Sequence, residues 1–308
     1  MFEIIFLGTS ASAPSIQRGL SAQIVKHDEY RFLIDCGEGT QRQILKSGQG
    51  FKRLNRVLLT HGHLDHILGL GGLISTLIRW EAFEELEIFG SSRTLERVND
   101  LLYGVVLRGA KPKAKLYLRE IEPGIIFETD KFSVRAFPVS HRGPGCLGYK
   151  FEEKSHRPFL AEKADALEVP FGPERRDLVQ GKSITLANGS RIEPEELLGP
   201  AMDGASLAIT GDTGKTSNLL EICKGLNTLV IESTYIEEDA EMARKFGHLT
   251  AKQAAELAKQ AGVTRLILTH LSRRYRERDV RREARAIFPN TYIARDFDSY
   301  IIKREENE

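Results

Sequence analysis

The sequence predicts an α/β protein in which two mixed sheets pack face to face, with helices outside and one inserted, projecting arm. Three observations predict it. Short apolar runs bounded by Gly and Asp alternate with stretches of helical spacing along most of the chain. A strand followed by an acid and glycine occurs twice, as Leu33-Ile34-Asp35-Cys36-Gly37 and Ile209-Thr210-Gly211-Asp212. A strand followed by Thr-His also occurs twice, as Val57-Leu58-Leu59-Thr60-His61 and Leu266-Ile267-Leu268-Thr269-His270. Two such halves bring acids and histidines to one shared edge.

Taken in order, Phe2 to Leu7, Ala22 to Lys26 and Arg31 to Ile34 read as strands, each ended by a turn signal. Gly39 to Lys46 reads as a short helix and Arg56 to Leu59 as a buried strand. Leu70, Leu73, Ile74 and Leu77 give Ile67 to Trp80 a helical period. Leu86 to Phe89 is a strand and Thr94 to Leu107 a helix. Lys115 to Arg119, Ile125 to Phe127, Phe132 to Phe137 and Gly145 to Phe151 read as a run of antiparallel strands. Residues 152–203 differ: they are rich in Pro, Gly and charge, and their one clear pattern is a hairpin around Asn188-Gly189. This is the arm, inserted in a single domain spanning 1–308. Beyond it come strands at Leu207 to Thr210, Thr228 to Glu232, Arg265 to Thr269 and Asp298 to Ile302. Helices at Ser217 to Cys223, Ala251 to Ala261 and Glu277 to Phe288 alternate with them.

Of the 308 residues, 41% are hydrophobic and 28% charged, the balance of an ordinary globular chain with a sizeable core. No apolar run approaches the roughly 18 residues of a membrane helix, so no membrane association is expected. Met1-Phe2-Glu3 offers no basic segment before Ile4 to Leu7, and no secretion signal is expected. Cys36, Cys146 and Cys223 have no C-x-x-C spacing, which argues against a disulfide framework and a thiolate metal cluster and fits a reducing cytoplasm. A formal charge of +1 means that any nucleic-acid contact must be local.

The strongest chemical signal is His61-x-His63-x-Asp65-His66, straight after an apolar strand. Residues two apart in extended chain point the same way, and the turn into a helix directs Asp65 and His66 elsewhere. Four N/O ligands on opposite sides of a turn suit two adjacent zinc ions better than one tetrahedral site. Imidazole and carboxylate without thiolate favour a catalytic centre with open positions. His141, Asp212 and His270 also follow apolar strands. The first zinc then takes His61, His63 and His141, the second Asp65, His66 and His270, and Asp212 bridges them.

The segment from Thr60 to His66 resembles the signature of the metallo-β-lactamase fold. With Phe6-Leu7-Gly8-Thr9, Asp35-Cys36-Gly37-Glu38-Gly39-Thr40-Gln41, Gly211-Asp212-Thr213 and Leu268-Thr269-His270, the chain from Met1 to about Ile302 resembles the ribonuclease Z family. The resemblance implies an αββα sandwich, two zinc ions per chain and removal of the 3′ trailer from precursor tRNA. It leaves a tRNA 3′-hydroxyl and a trailer 5′-phosphate. It makes His248 the general acid, oriented by Glu232, and gives Asp65 the further task of orienting or deprotonating the attacking water. Ser272, Arg274 and Tyr275 match a phosphate-contacting Ser-x-Arg-Tyr. It also implies a homodimer in which one subunit's arm holds the RNA cleaved by the other. Gly172-Pro173 and the hairpin match the family's arm, whereas two of its lysine positions hold Asp177 and Val179, leaving Arg175, Arg176 and Lys182. Asp35 is assigned a structural role, the cysteines are packed side chains, and His27 and His156 are ordinary surface residues.

Positive charge gathers in three other stretches: Gly39 to Arg56; Arg108, Lys111, Lys113 and Lys115; and Arg273 to Arg285, whose Arg278, Arg281, Arg282 and Arg285 share a helical face. Such patches supply phosphate contacts without sequence information. Two other readings compete. A zinc hydrolase of small phosphodiesters, thioesters or lactones needs neither arm nor patches. A non-catalytic RNA-binding relic would not retain a full ligand set.

Overall fold

The computed structural model describes residues 1–110 and 112–303. Lys111, from the second basic stretch, and residues 304–308 of the expected domain lie outside the described residues. The chain divides into two compact units, one made of Met1–Glu152 with Ala205 onward, the other of Glu153–Gly204.

The first unit begins with β1 (Phe2–Gly8), β2 (Ala22–His27) and β3 (Tyr30–Ile34), an antiparallel meander. Then follow α1 (Thr40–Lys46), β4 (Arg56–Leu58), α2 (Leu64–Ile67), α3 (Leu70–Arg79), β5 (Glu85–Gly90), α4 (Ser92–Asn99) and β6 (Lys115–Glu120). From β3 to β6 the pairing is parallel. The next strands, β7 (Gly124–Glu128), β8 (Phe132–Pro138) and β9 (Leu147–Glu153), start the second sheet.

The second unit holds α5 (Ala161–Ala166), α6 (Pro173–Val179), the β10 (Ile184–Thr185) and β11 (Arg191–Ile192) hairpin and α7 (Pro194–Leu197). Its own small core gathers Ala164, Val169, Leu178, Ile192 and Leu197. Only the hairpin is expected from sequence; three helices of four to seven residues are too short to show a period.

In the first unit the chain resumes with β12 (Ser206–Ile209), α8 (Leu220–Cys223), β13 (Thr228–Glu232), α9 (Ala240–Phe246), α10 (Ala251–Ala261), β14 (Arg265–Thr269), α11 (Glu277–Arg285), β15 (Thr291–Ile293) and β16 (Ser299–Ile302). Sheet orders are β16-β1-β2-β3-β4-β5-β6 and β15-β14-β13-β12-β9-β8-β7.

The sheets share an inner layer in which Phe2, Phe6 and Phe32 of the first meet Phe132, Phe151 and Ile209 of the second. Phe32 and Phe151 lie 5.4 Å apart, ring to ring. Each fully buried side chain of this kind contributes about 1.5–3 kcal/mol. The alternate residues Ile5, Leu7, Leu33 and Val57 face outward beneath α1 and α3, joined by Ile44, Leu70 and Leu73. On the opposite outer face, Ala254, Ala255, Ala258 and Ala261 of α10 pack with Leu229, Ile231 and Leu266. Thr250 caps α10, accepting from the Gln253 N–H while the Gln253 side chain returns to the Thr250 N–H. Helix, sheet, sheet, helix is therefore the layer order.

Several expectations are corrected. The antiparallel run is broken: β6 is the parallel edge of the first sheet, and only β7 onward belongs to the second. The helix from Ile67 is split at Leu68-Gly69, because Gly69 donates to Cys36 O at 2.9 Å. The Thr94 helix becomes π-helical over Asp100–Leu107. His27 is no surface residue; it is buried, its ring 4.5 Å from Phe132 and 4.8 Å from Phe2. α9 and β15 carry no period long enough to be read. No described helix is long and apolar enough to cross a membrane.

Candidate metal centre

The parallel strands place the site. β3, β4, β12, β13 and β14 all point their carboxyl ends at one edge, and Asp35, His61, Asp212, Glu232 and His270 sit at or just past those ends. Open parallel sheets commonly bind ligands there. Gly211 shows how close the two sheets come: its φ is +64°, and a Cβ there would lie 2.8 Å from Thr60 Cβ.

Three overlapping groups can each hold a cation. They are His61, His63, His141 and Asp212; Asp65, His66 and His270; and Asp212, His248 and His270. Within each, ligand atoms lie within 4.8 Å of one another. Asp212 is central: Oδ2 is 3.8 Å from His61 Nε2, 3.5 Å from His66 Nε2 and 3.9 Å from His141 Nε2, and Oδ1 is 3.3 Å from His270 Nε2. Asp65 Oδ2 lies 3.5 Å from His270 Nε2 and 3.7 Å from His66 Nε2. All seven residues with ligand roles expected from sequence are thus brought together.

The imidazoles are aimed. His66 Nδ1 pairs with Asp35 Oδ2 at 2.7 Å, His141 Nδ1 with Gly247 O at 2.6 Å, His61 Nδ1 with Thr60 Oγ1 at 3.0 Å, and His270 Nδ1 with Thr234 Oγ1 at 2.9 Å. One ring nitrogen of each is occupied, which turns the other inward. His63 differs, presenting Nδ1 at 3.3 Å from His141 Nε2. The inward atoms His61 Nε2, His66 Nε2, His270 Nε2 and Asp212 Oδ1 are buried without any hydrogen-bond partner. Each such orphan costs about 1–3 kcal/mol. Four converging on one spot fit bound cations, and a nitrogen–oxygen donor set without sulfur fits zinc at a catalytic site.

Backbone strain accompanies this aim. Asp35 and His270 both hold left-handed φ angles, +57° and +55°. Conformations of that kind persist where surrounding contacts over-determine them. Asp35 is held by the Thr60 N–H at 2.8 Å and the Thr60 hydroxyl at 2.9 Å.

Charge follows burial and neighbours. Burial, then His141, draws His63 down to about 4, leaving a neutral imidazole. Burial, then His66, holds His61 well below the ordinary imidazole range. Burial opposes ionisation of Asp212, but His270, His66 and His61 hold its carboxyl well below the usual range. His248 goes the other way: burial pulls it down, yet Glu232 pushes it up to about 9. Glu232 Oε1 lies 2.9 Å from His248 Nδ1. The same carboxylate accepts from the Thr213 N–H at 2.8 Å and from the Thr234 hydroxyl at 2.5 Å.

Two participants were not legible as such. Thr234, two residues beyond Glu232, donates to the Glu232 carboxylate and contacts His270 Nδ1, linking Glu232 to His270. The Ser12 N–H donates to Asp65 Oδ2 at 2.9 Å, and a backbone donor leaves no sequence signal.

The expected RNA-contacting groups fare unevenly. Ser272 Oγ accepts from the Arg274 N–H, Arg274 reaches Met242 Sδ, and the Tyr275 hydroxyl donates to Asp239. In the second unit Arg175 binds Asp165 Oδ1 and Val169 O and stacks 3.7 Å over Phe171, while Lys182 pairs with Asp177 at 3.2 Å. Arg176 is exposed. Of the basic stretches, Lys113 pairs with Glu81, Lys115 with Glu85 and Arg56 with Glu87, at the strand starts and so away from the metal edge. On α11, Arg281 pairs with Glu277 and Arg285 binds Thr291 O, leaving Arg278 and Arg282 most exposed.

Comparison with known proteins gives consistent matches. A beta-lactamase superfamily domain model matches residues 178–271, and a model of the anti-Pycsar protein Apyc1 matches residues 2–154. Ribonuclease Z of Bradyrhizobium diazoefficiens is 43% identical over 302 residues, covering 98% of this chain and 100% of that one. Ribonuclease Z of Listeria monocytogenes serotype 4b is 39% identical over 308 residues, covering 97% and 99%. The crystal structure of human tRNase Z, short form, is similar in fold, with a TM-score of 0.68 and 24% identity over 97% of this chain and 99% of that one.

Proposed function

The chain belongs to the ribonuclease Z family and has the metallo-β-lactamase fold, and from that premise we propose that it is a zinc-dependent endoribonuclease releasing the 3′ trailer from precursor tRNA. Its products are a tRNA 3′-hydroxyl and a trailer 5′-phosphate. The observation that carries this reading is the Glu232–His248 pair, 2.9 Å apart, at the edge of the metal cluster.

His61, His63 and His141 would hold one zinc and Asp65, His66 and His270 a second, with Asp212 placed among both sets of side chains. When bound, the two ions supply Lewis-acid charge to the scissile phosphate and lower the pKa of the attacking water. Asp65, fixed by the Ser12 N–H, orients that water and accepts its proton. Glu232 keeps His248 protonated, and His248 donates a proton to the departing 3′ oxygen, a poor leaving group without it. Ser272 and Arg274 approach the phosphate beside the scissile one, with Tyr275 fixed behind them by Asp239. The arm is the tRNA-holding element, with Arg176 its unengaged guanidinium and Arg175 and Lys182 turned to internal partners. A homodimer pairs each arm with the other subunit's centre. The three buried, unpaired cysteines fit residence in the cytoplasm.

The test is incubation of the purified, zinc-analysed chain with precursor tRNA, followed by end-group analysis of both fragments and sizing of the protein. Trailer release with the stated ends and about two zinc ions per chain is expected. No release from a zinc-loaded chain, with turnover of a small phosphodiester, would leave a small-molecule hydrolase instead.

A further inference from the structure

Asp212, His61, His66 and His270 are buried, as is the side chain of His141, whereas His63 and Asp65 are part-exposed and residues 142–145 are exposed. A strand of nucleic acid can therefore approach past His63, along the loop that carries it and the neighbouring loop of residues 142–145.

Helix α4 lies against both loops. Arg97 Nη1 donates to Gly62 O at 2.6 Å, and Gly62 stands between His61 and His63. Arg93 Nη1 lies 3.6 Å from where a Cβ on Gly143 would sit, two residues past His141. A Cβ on Gly145 would meet Ser91 Oγ at 2.8 Å, so the absence of a side chain there lets the loop close on the helix start. Arg93 and Arg97 are four residues apart and share the exposed face, opposite buried Thr94, Leu95 and Val98.

These cations differ from most of the basic residues discussed above. Lys113, Lys115, Lys182 and Arg281 each face a carboxylate. Neither Arg93 nor Arg97 pairs with an acid among the described residues, and Arg97 spends only one of its donors on Gly62 O. Unneutralised guanidinium forks at the mouth of a metal centre are suited to bidentate phosphate contact.

We propose that Arg93 and Arg97 form a phosphate-binding rim that holds the single-stranded RNA backbone as it enters beside His63 and His141. This rests on the ribonuclease reading and adds to it a second line of backbone contact, on the His63–His141 side, where Ser272 and Arg274 serve the His270 side.

The experiment measures Kd for precursor tRNA by anisotropy across a salt series, together with trailer release and zinc content, for the wild type, R93A/R97A and R93K/R97K. With zinc content retained, R93A/R97A should weaken binding by about tenfold and flatten the salt slope by roughly 1.4, the loss of two single-strand phosphate contacts. R93K/R97K should keep most of the slope. An unchanged slope and Kd in R93A/R97A would overturn the rim while trailer release upholds the function. Equal loss in the Ala and Lys variants would also overturn it, assigning the arginines to loop support. A wild type that binds with the steep slope but releases no trailer would sink the ribonuclease reading and leave the rim standing.

Discussion

Asp35 Oδ2 lies 2.7 Å from His66 Nδ1, and the same carboxylate accepts the backbone N–H and the hydroxyl of Thr60, which in turn contacts His61 Nδ1. One buried acid thus orients a candidate ligand from each of two candidate metal-binding groups. Asp35→Asn replaces one acceptor by a donor, so either His66 or Thr60 loses its partner. Zinc affinity should fall about 10–100-fold, read by competition with a chelator. Unaltered affinity would mean that His66 binds no metal.

Asp212 and His248 should separate cleanly. Asp212→Ala removes the carboxylate that approaches five histidines, His61, His66, His141, His248 and His270, and it should abolish cleavage and lower zinc content. His248→Ala should keep its metal while losing roughly 10²–10⁴-fold in cleavage rate. Equal metal loss in both variants would contradict the assigned roles.

Gly211 and Gly225 have nearly the same backbone, at φ +64° and +65°, but different surroundings. A Cβ on Gly225 meets nothing within 4 Å, whereas one on Gly211 presses on Thr60 at 2.8 Å. Gly225→Ala should cost about 1–2 kcal/mol from backbone strain alone. Gly211→Ala should cost more and shift Asp35, lowering zinc affinity as well as Tm. Similar behaviour of the two would show that the Thr60 contact is slack.

Arg175 and Arg176 are neighbours with opposite commitments. Arg175→Ala breaks bonds to Asp165 and Val169 and uncovers Phe171, so proteolysis within residues 153–204 should speed up. Arg176→Ala should leave proteolysis unchanged and raise KM for precursor tRNA severalfold. A KM effect confined to Arg175→Ala would assign the arm's role to its shape rather than its charge.

The sequence displays the metal edge because each candidate ligand follows an apolar strand, and parallel strands deliver their ends to one place. It displays the inner layer for the same reason, through runs such as Phe2 to Leu7. Charge compensation is another matter. Lys115 meets Glu85 only because β6 pairs with β5 in parallel, and Arg281 meets Glu277 where Arg18 and Arg295 also converge, so basic runs read as patches from sequence are partly neutral in the fold. His27 reads as a surface residue because nothing local announces that Phe2 and Phe132 enclose it. Thr234 and the Ser12 N–H contribute through distance alone.

β9 and β12 are antiparallel neighbours with Glu152 opposite Ser206, so the main body releases residues 153–204 and takes them back at adjoining positions. A tight turn could close that gap without disturbing either sheet. The inserted unit is in effect a cassette joined to the sheet through one pair of neighbouring strand ends, and the pairing of β12, β13 and β14, whose ends carry Asp212, Glu232 and His270, does not depend on what fills it.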